Sequence, residues 1–284
     1  MSLEPPVESP RSLAQAYALL GGGPWRPLAG GTDLLVEVNG ELAPPPERVL
    51  DLWGLDELRG IALSDGWLII GALTTYSAIR GSAACAGALP ALVDAAATIG
   101  ARQIQNRGTI GGNIVNASPA GDSLPVLLAA DAVIVLGGPR GEREVPAEAF
   151  FTGYRRTARA DDGLVLRVRI PLPPGRQVRF RKVGTRRAQA ISKVVLALAW
   201  RADRDGAWRD VRVALGSVAE RPVRARTAEA ALEGARPSEQ TADRAAAAVA
   251  AEISPIDDVR STAAYRRAVT ARVLRRVVRD AGGW

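Results

Sequence analysis

The 284-residue sequence has no histidine, one cysteine and one methionine. Lacking histidine, it has neither the commonest general base nor the commonest metal ligand, and it can form no Ser-His or Cys-His dyad. Cys85 stands alone, so the chain can build neither an internal disulfide nor a cysteine-ligated cluster. If it serves an enzyme, the hard chemical step falls outside side-chain acid–base work, and a bound cofactor fits that condition. Long apolar runs are also missing. Residues 194–200 are too few to span a bilayer, and 124–136 is interrupted by Asp131. The opening MSLEPPVESP carries acids and prolines where a secretory signal has positive charge and then an apolar stretch. The expectation is a cytoplasmic protein with no membrane span.

Lysine is nearly absent too. Lys182 and Lys193 are the only two, and every other cation behind the net charge of +7 is arginine. An excess of positive charge points to a polyanion or an acidic partner. Here the arginines are spread through the second half and are not clustered with aromatics, so compositional bias is the simpler reading and no nucleic-acid partner is expected.

The composition is that of an ordinary globular protein, 47% hydrophobic and 24% charged, and the length suggests about two domains. Residues 1–55 read as a small β-α-β unit. A short helix over 12–20 has Ser9 or Ser12 as cap, 26–29 is extended, and Gly30-Gly31-Thr32 turns into the apolar run 34–38. Residues 56–172 alternate strands and helices. They include a hairpin around Ser64-Asp65-Gly66, a capped turn at 74–79, a helix over 89–99, a helix over 124–130 and strands over 132–136 and 164–171. The linker 171–175 (PLPPG) precedes a second unit, 176–284. It reads as three antiparallel strands followed by helices over 227–232, 238–253 and 261–279.

Two glycine-bearing turns stand out, 28–34 (LAGGTDL) and 108–113 (GTIGGN). Glycine tolerates positive φ and has no Cβ to block approach, so successive N–H groups can converge on an anion. Two such nests face to face would hold a diphosphate, and the flanking aliphatics would form a dry slot for something large and flat. Neither segment is a G-x-G-x-x-G or P-loop fingerprint, and structural glycine turns are the competing reading. Asp122, just downstream, is suited either to accept from sugar or ribityl hydroxyls or to cap the helix beginning near Ser123.

LAGGTDLL, followed some eighty residues later by RGTIGGNIVNASPAGDSLPVLLAADA, resembles the FAD-binding medium subunit of the molybdenum hydroxylases. That group includes the xanthine dehydrogenases and aerobic carbon monoxide dehydrogenases. The resemblance continues through FFTGYRRT at 150–157, 164–171, FRKVGTRR at 180–187 and several pieces of the C-terminal third. It implies an α+β chain with a two-subdomain FAD-binding fold of the PCMH/vanillyl-alcohol-oxidase type over 1–172, its second subdomain (56–172) built on a mixed sheet. A small α+β domain with a three-stranded antiparallel sheet and helices would follow over 176–284.

Carried over residue by residue, Leu28, Ala29, Gly30, Gly31, Thr32, Asp33 and Leu34 would wrap the FAD diphosphate from one side. Thr109, Ile110, Gly111, Gly112 and Asn113 would hold it from the other. Asp122 would take a sugar or ribityl hydroxyl, while Val165 and Lys182 would contact the flavin. The resemblance also implies a large partner subunit with the molybdenum cofactor and a small one with two [2Fe–2S] clusters, assembled as a dimer of heterotrimers. This chain would carry the electron exit through FAD. A free-standing flavin oxidoreductase and a basic nucleic-acid-binding protein are the alternatives.

Overall fold

The computed structural model describes residues 5–42, 44–186 and 189–284. Arg187, the end of the FRKVGTRR segment, and the first four residues of the N-terminal stretch lie outside the described residues. The first 55 residues build a small parallel sheet in which Val49–Asp51 lies between Val7–Glu8 and Arg26–Leu28. Parallel neighbours need crossovers, and the two helices Leu13–Gly21 and Leu34–Asn39 lie in those connections. Ser12, not Ser9, caps the first helix, its hydroxyl accepting from the Gln15 N–H at 3.2 Å. Ala16, Leu20, Leu50, Leu52, Leu55 and Leu58 form a core beneath this sheet.

The second sheet has five strands in the order Ile61–Ser64, Trp67–Gly71, Leu164–Pro171, Val133–Gly138, Gly141–Pro146. Every pair in it is antiparallel, where a mixed sheet was expected. The reason is local. Two tight hairpins supply four of the strands, and a hairpin can only pair its arms antiparallel. Between Trp67–Gly71 and Val133–Gly138 the chain makes six short helices: Tyr76–Gly81, Ala83–Ala88, Pro90–Thr98, Arg102–Arg107, Ile110–Asn116 and Leu124–Ala129. The apolar spacing read in 89–99 places Leu92, Ala95 and Ala96 in the core. The segment 108–113, read as a turn, is instead the start of a helix. Thr109 caps it by accepting from the Gly112 N–H, and Ala117 at φ 47° ends it.

The C-terminal sheet has four strands, not three: Gln177–Val183, Val194–Ala202, Trp208–Gly216 and Val223–Arg224, all antiparallel. The fourth is two residues long, too short for alternation to reveal it. One face packs on helices Arg226–Leu232, Glu239–Glu252 and Ala263–Gly282 through Leu196, Leu198, Val213, Leu215, Val249 and Leu274. The other face, through Val195, Ala197, Ala199 and Ala214, joins the core of the preceding unit. Burial on both faces explains the unbroken apolar run over 194–200. Among the described residues, no helix is long and apolar enough to cross a membrane.

Strand Leu164–Pro171 ties the layers together. Its pairing slips by one residue between Val165 and Arg167, a β-bulge. Side chains alternate sides along a strand, so one extra residue exchanges the faces. Before the bulge Leu164 and Leu166 reach the core of the small parallel sheet, and Val165, Val168 and Ile170 reach the larger core. Leu166→Ala removes the side chain joining sheet to subdomain. It is expected to cost about 2–5 kcal/mol, measurable by denaturant unfolding; a cost below about 0.5 kcal/mol, the range of a neutral surface change, would refute this packing role.

Candidate functional site: a glycine-walled cavity

A cavity of about 580 Å³ opens where the loop after Arg26–Leu28, helix Ile110–Asn116 and the start of Leu164–Pro171 meet. The loop has one decisive property. Among the described residues, no acceptor takes the backbone N–H of Ala29, Gly30, Gly31, Thr32, Asp33 or Leu34. The six residues line the cavity and are half-buried or exposed, so solvent reaches the row, and successive free N–H groups of this kind can form an anion-binding nest. Gly31 makes the turn at φ +78°. Gly30 lets two backbones touch, because a Cβ there would sit 1.8 Å from the Arg107 carbonyl oxygen. Trp53 steadies that second backbone, with the Arg107 guanidinium 3.7 Å and that of Arg59 4.4 Å from its ring centroid.

The segment 109–113 contributes differently from the second nest expected of it. Four of its five N–H groups are already used: Ile110 donates to the Thr74 carbonyl at 3.0 Å, Gly111 to Ala72 at 2.9 Å, and Asn113 to Thr109 at 3.1 Å. Gly112 donates to the Thr109 hydroxyl at 3.1 Å. Gly111 is a packing glycine, since a Cβ would lie 2.6 Å from that of Ala72. What faces the ligand space is side chain. Burial raises the Tyr76 hydroxyl pKa, with Ser123 partly opposing, so the phenol stays protonated. It lies 3.1 Å from the Ser123 oxygen, and the Ser123 hydroxyl donates to Asn113 Oδ1 at 2.9 Å. With its oxygen engaged, the Asn113 amide keeps its N–H₂ as a donor for the cavity.

Of the sequence-predicted residues, Leu28 to Leu34, Thr109, Gly111, Gly112, Asn113 and Val165 line this cavity together. Ile110 is fully buried in the core instead. Asp122 and Lys182 do not line the cavity. Lys182 Nζ lies 2.6 Å from Asp122 Oδ2 and donates to the Thr98 carbonyl at 3.0 Å. The Ser192 hydroxyl donates to Asp122 Oδ1, and the Thr98 hydroxyl lies 3.2 Å from Oδ2. Burial pushes the Asp122 carboxyl up, while Lys182 and the hydroxyls of Ser192 and Thr98 pull against it. The pair pins the C-terminal sheet to the helical layer, and Asp122 accepts from protein groups and does not cap the next helix.

Sequence reasoning missed the charged rim. Arg26, Glu37, Asn116, Arg155 and Arg159 line the cavity with Asp33, setting three arginines against two carboxylates. Burial pushes the Asp33 carboxyl up. Arg155 opposes this, Glu37 adds to it, and Arg26 opposes it again. Asn116 lies within the conspicuous glycine stretch and Arg155 within FFTGYRRT, but no local pattern places them side by side.

Residues 3–173 match the family described as the FAD binding domain in molybdopterin dehydrogenase, and 179–281 match the CO dehydrogenase flavoprotein C-terminal domain. The chain belongs to the FAD-binding medium subunits of the molybdenum hydroxylases. It is 35% identical over 279 residues to the carbon monoxide dehydrogenase medium chain of Afipia carboxidovorans, covering 96% of this chain and 94% of that one. It is 33% identical over 280 residues to the xanthine dehydrogenase FAD-binding subunit of Escherichia coli O157:H7, covering 96% and 95%. The structure of carbon monoxide dehydrogenase from Hydrogenophaga pseudoflava superposes with a TM-score of 0.92 at 32% identity, covering 97% and 96%.

As a medium subunit, the chain is an oxidoreductase component and binds FAD, and partner subunits of its family carry the molybdenum cofactor and the iron–sulfur clusters. The residues present fit that group: unpaired N–H donors suit a diphosphate, and Leu28, Leu164 and Val165 give the cavity apolar wall.

Gly30→Val drives a side chain into the Arg107 carbonyl and is expected to yield a flavin-free protein. Gly54→Ala, where a Cβ meets nothing within 4 Å, is expected to keep its flavin. Equal flavin absorbance after gel filtration would contradict this account. Lys182→Met strands a buried carboxylate and is expected to lower stability by about 3–5 kcal/mol; an unchanged unfolding midpoint would contradict the pinning role.

Proposed function

We propose that this chain is the electron exit of its complex, taking electrons from [2Fe–2S] clusters of a small partner subunit and delivering them through FAD to an acceptor. The observation that carries this reading is the run of six N–H groups, Ala29 to Leu34, without an acceptor among the described residues, on a cavity of about 580 Å³. When bound, FAD supplies the redox chemistry, which needs no histidine or thiol from the protein. The chain's own residues bind and orient. Leu28, Ala29, Gly30, Gly31, Thr32, Asp33 and Leu34 hold the diphosphate by backbone N–H, and Thr109 and Asn113 add side-chain donors. Gly111 and Gly112 keep the opposite wall thin, with Ile110 supporting it from the core, and Val165 packs against the cofactor. In this reading Asp122 and Lys182 act from behind, by fixing the C-terminal sheet.

The proposal extends to organisation. Residues 1–172, divided at 55, form the FAD-binding unit, and 176–284 form a second unit. The complex assembles as a dimer of heterotrimers with a large molybdopterin-binding subunit and a small iron–sulfur subunit, and resides in the cytoplasm. Named relatives that hydroxylate or dehydrogenate unlike substrates, carbon monoxide and nicotinate among them, support assigning substrate choice to the large subunit.

The test uses the assembled complex carrying flavin-free Gly30→Val. Substrate is expected to bleach the cluster absorbance while acceptor reduction falls to background. Acceptor reduction at the wild-type rate would contradict an exit through this subunit.

A further inference from the structure

The segment FFTGYRRT forms a small hairpin, Phe151–Gly153 paired with Arg156–Thr157. Its turn holds Arg155 at φ 50°, a left-handed conformation that non-glycine residues rarely adopt. Strain of this kind persists where surrounding contacts fix it, so the contacts matter. Arg155 Nη1 donates to Glu37 Oε1 at 3.2 Å and to Asn116 Oδ1 at 2.8 Å. Asn116 Nδ2 in turn donates to Asp33 Oδ1 at 2.8 Å, and Arg26 pairs with Glu37 at 3.3 Å. These five residues come from three separate stretches: the small parallel subdomain, the end of helix Ile110–Asn116, and the hairpin. All five line the cavity.

The electrostatics give this chain of bonds a purpose. Asp33 belongs to the loop whose N–H groups await an anion, and Glu37 is on the helix that follows. Two carboxylates beside a diphosphate site repel the ligand unless they are engaged elsewhere. Arg155 engages Glu37 directly and Asp33 through Asn116. Without Arg155 the rim holds two arginines against two carboxylates and loses its net positive charge.

We propose that Arg155 is a positioning residue that clasps the small subdomain to helix Ile110–Asn116 across the cavity rim and thereby sets how fast FAD leaves. The proposal rests on the cavity being the FAD site. The Arg155 side chain is 43% exposed, so the clasp opens to solvent and weakens with salt. Both of its bonds leave from one nitrogen, a geometry that an ammonium group can imitate. The clasp therefore tolerates lysine and fails with an uncharged side chain.

The test follows FAD release from the assembled complex by the recovery of flavin fluorescence on dilution, at low and high salt. Arg155→Met is expected to release FAD about tenfold faster at low salt, the loss of a charge-assisted hydrogen bond, with little remaining salt dependence. Arg155→Lys is expected to stay near wild type. Glu37→Gln tests the clasp from its other end, should the Met variant fold poorly, and is also expected to speed release. Combining Arg155→Met with Glu37→Gln is expected to add less than the two single effects together. Release from Arg155→Met and Glu37→Gln as slow as from wild type, or equally fast release from the Met and Lys variants, would overturn the clasp while leaving the cofactor site intact. A wild-type complex that holds no FAD would overturn the site and the clasp with it.

Discussion

Six consecutive backbone N–H groups, Ala29 to Leu34, without an acceptor among the described residues are the feature on which the rest of the site depends. The row is half-buried and reachable by water, so a ligand that accepts from several of these donors at once has only that water to replace. The surrounding structure holds the row open. Gly30 lies against the Arg107 carbonyl, which no other residue could do, and the Arg107 side chain is stacked on Trp53. The opposite wall is closed by its own hydrogen bonds. One side of the cavity is thus donor-rich backbone and the other is preorganised side chain, with Asn113 fixed through Ser123 and Tyr76.

The larger architecture serves this meeting point. The loop hangs from a parallel sheet whose core is partly supplied by Leu164 and Leu166 of the neighbouring antiparallel sheet. The bulge at Val165 turns the rest of that strand toward the main core, so one strand fixes two subdomains and lines the cavity between them. The C-terminal unit is anchored from the far side by Asp122 and Lys182, sixty residues apart and both largely buried. Its arginines are mostly engaged locally. Arg275 pairs with Glu239 and Asp243, Arg201 with Asp210, and Arg224 with Glu229. This ties much of the basic charge into the fold.

Features set by short-range chemistry were legible in the sequence. The hairpin at Asp65-Gly66, the Thr75 cap and the helix capped by Ser238 lie where turn and cap residues put them. The turn within 28–34 was legible because Gly30-Gly31 supplies the positive φ that a tight turn needs. The helix Ile110–Asn116 was not, because glycines at 111 and 112 oppose helix formation by roughly 1 kcal/mol each. It forms with a local cap from Thr109 and a tertiary contact, the close packing of Gly111 on Ala72. Lys182 stood out in the sequence as one of two lysines and Asp122 by its place after the glycine stretch, but no local pattern shows that they meet. The fourth C-terminal strand, and the place of Leu164–Pro171 between the two hairpins of the antiparallel sheet, depend likewise on pairings that no local pattern encodes.

The central claim is that the N–H row holds a diphosphate, and the most direct measurement is a comparison of ligands. The chain is stripped of chromophore and titrated with FAD and with FMN, following flavin fluorescence. The account predicts saturable uptake of FAD, with FMN unable to displace it at matched concentration because FMN lacks the diphosphate bridge. Equal affinity for FMN would contradict it, since the Ala29 to Leu34 row would then contribute nothing to holding the cofactor.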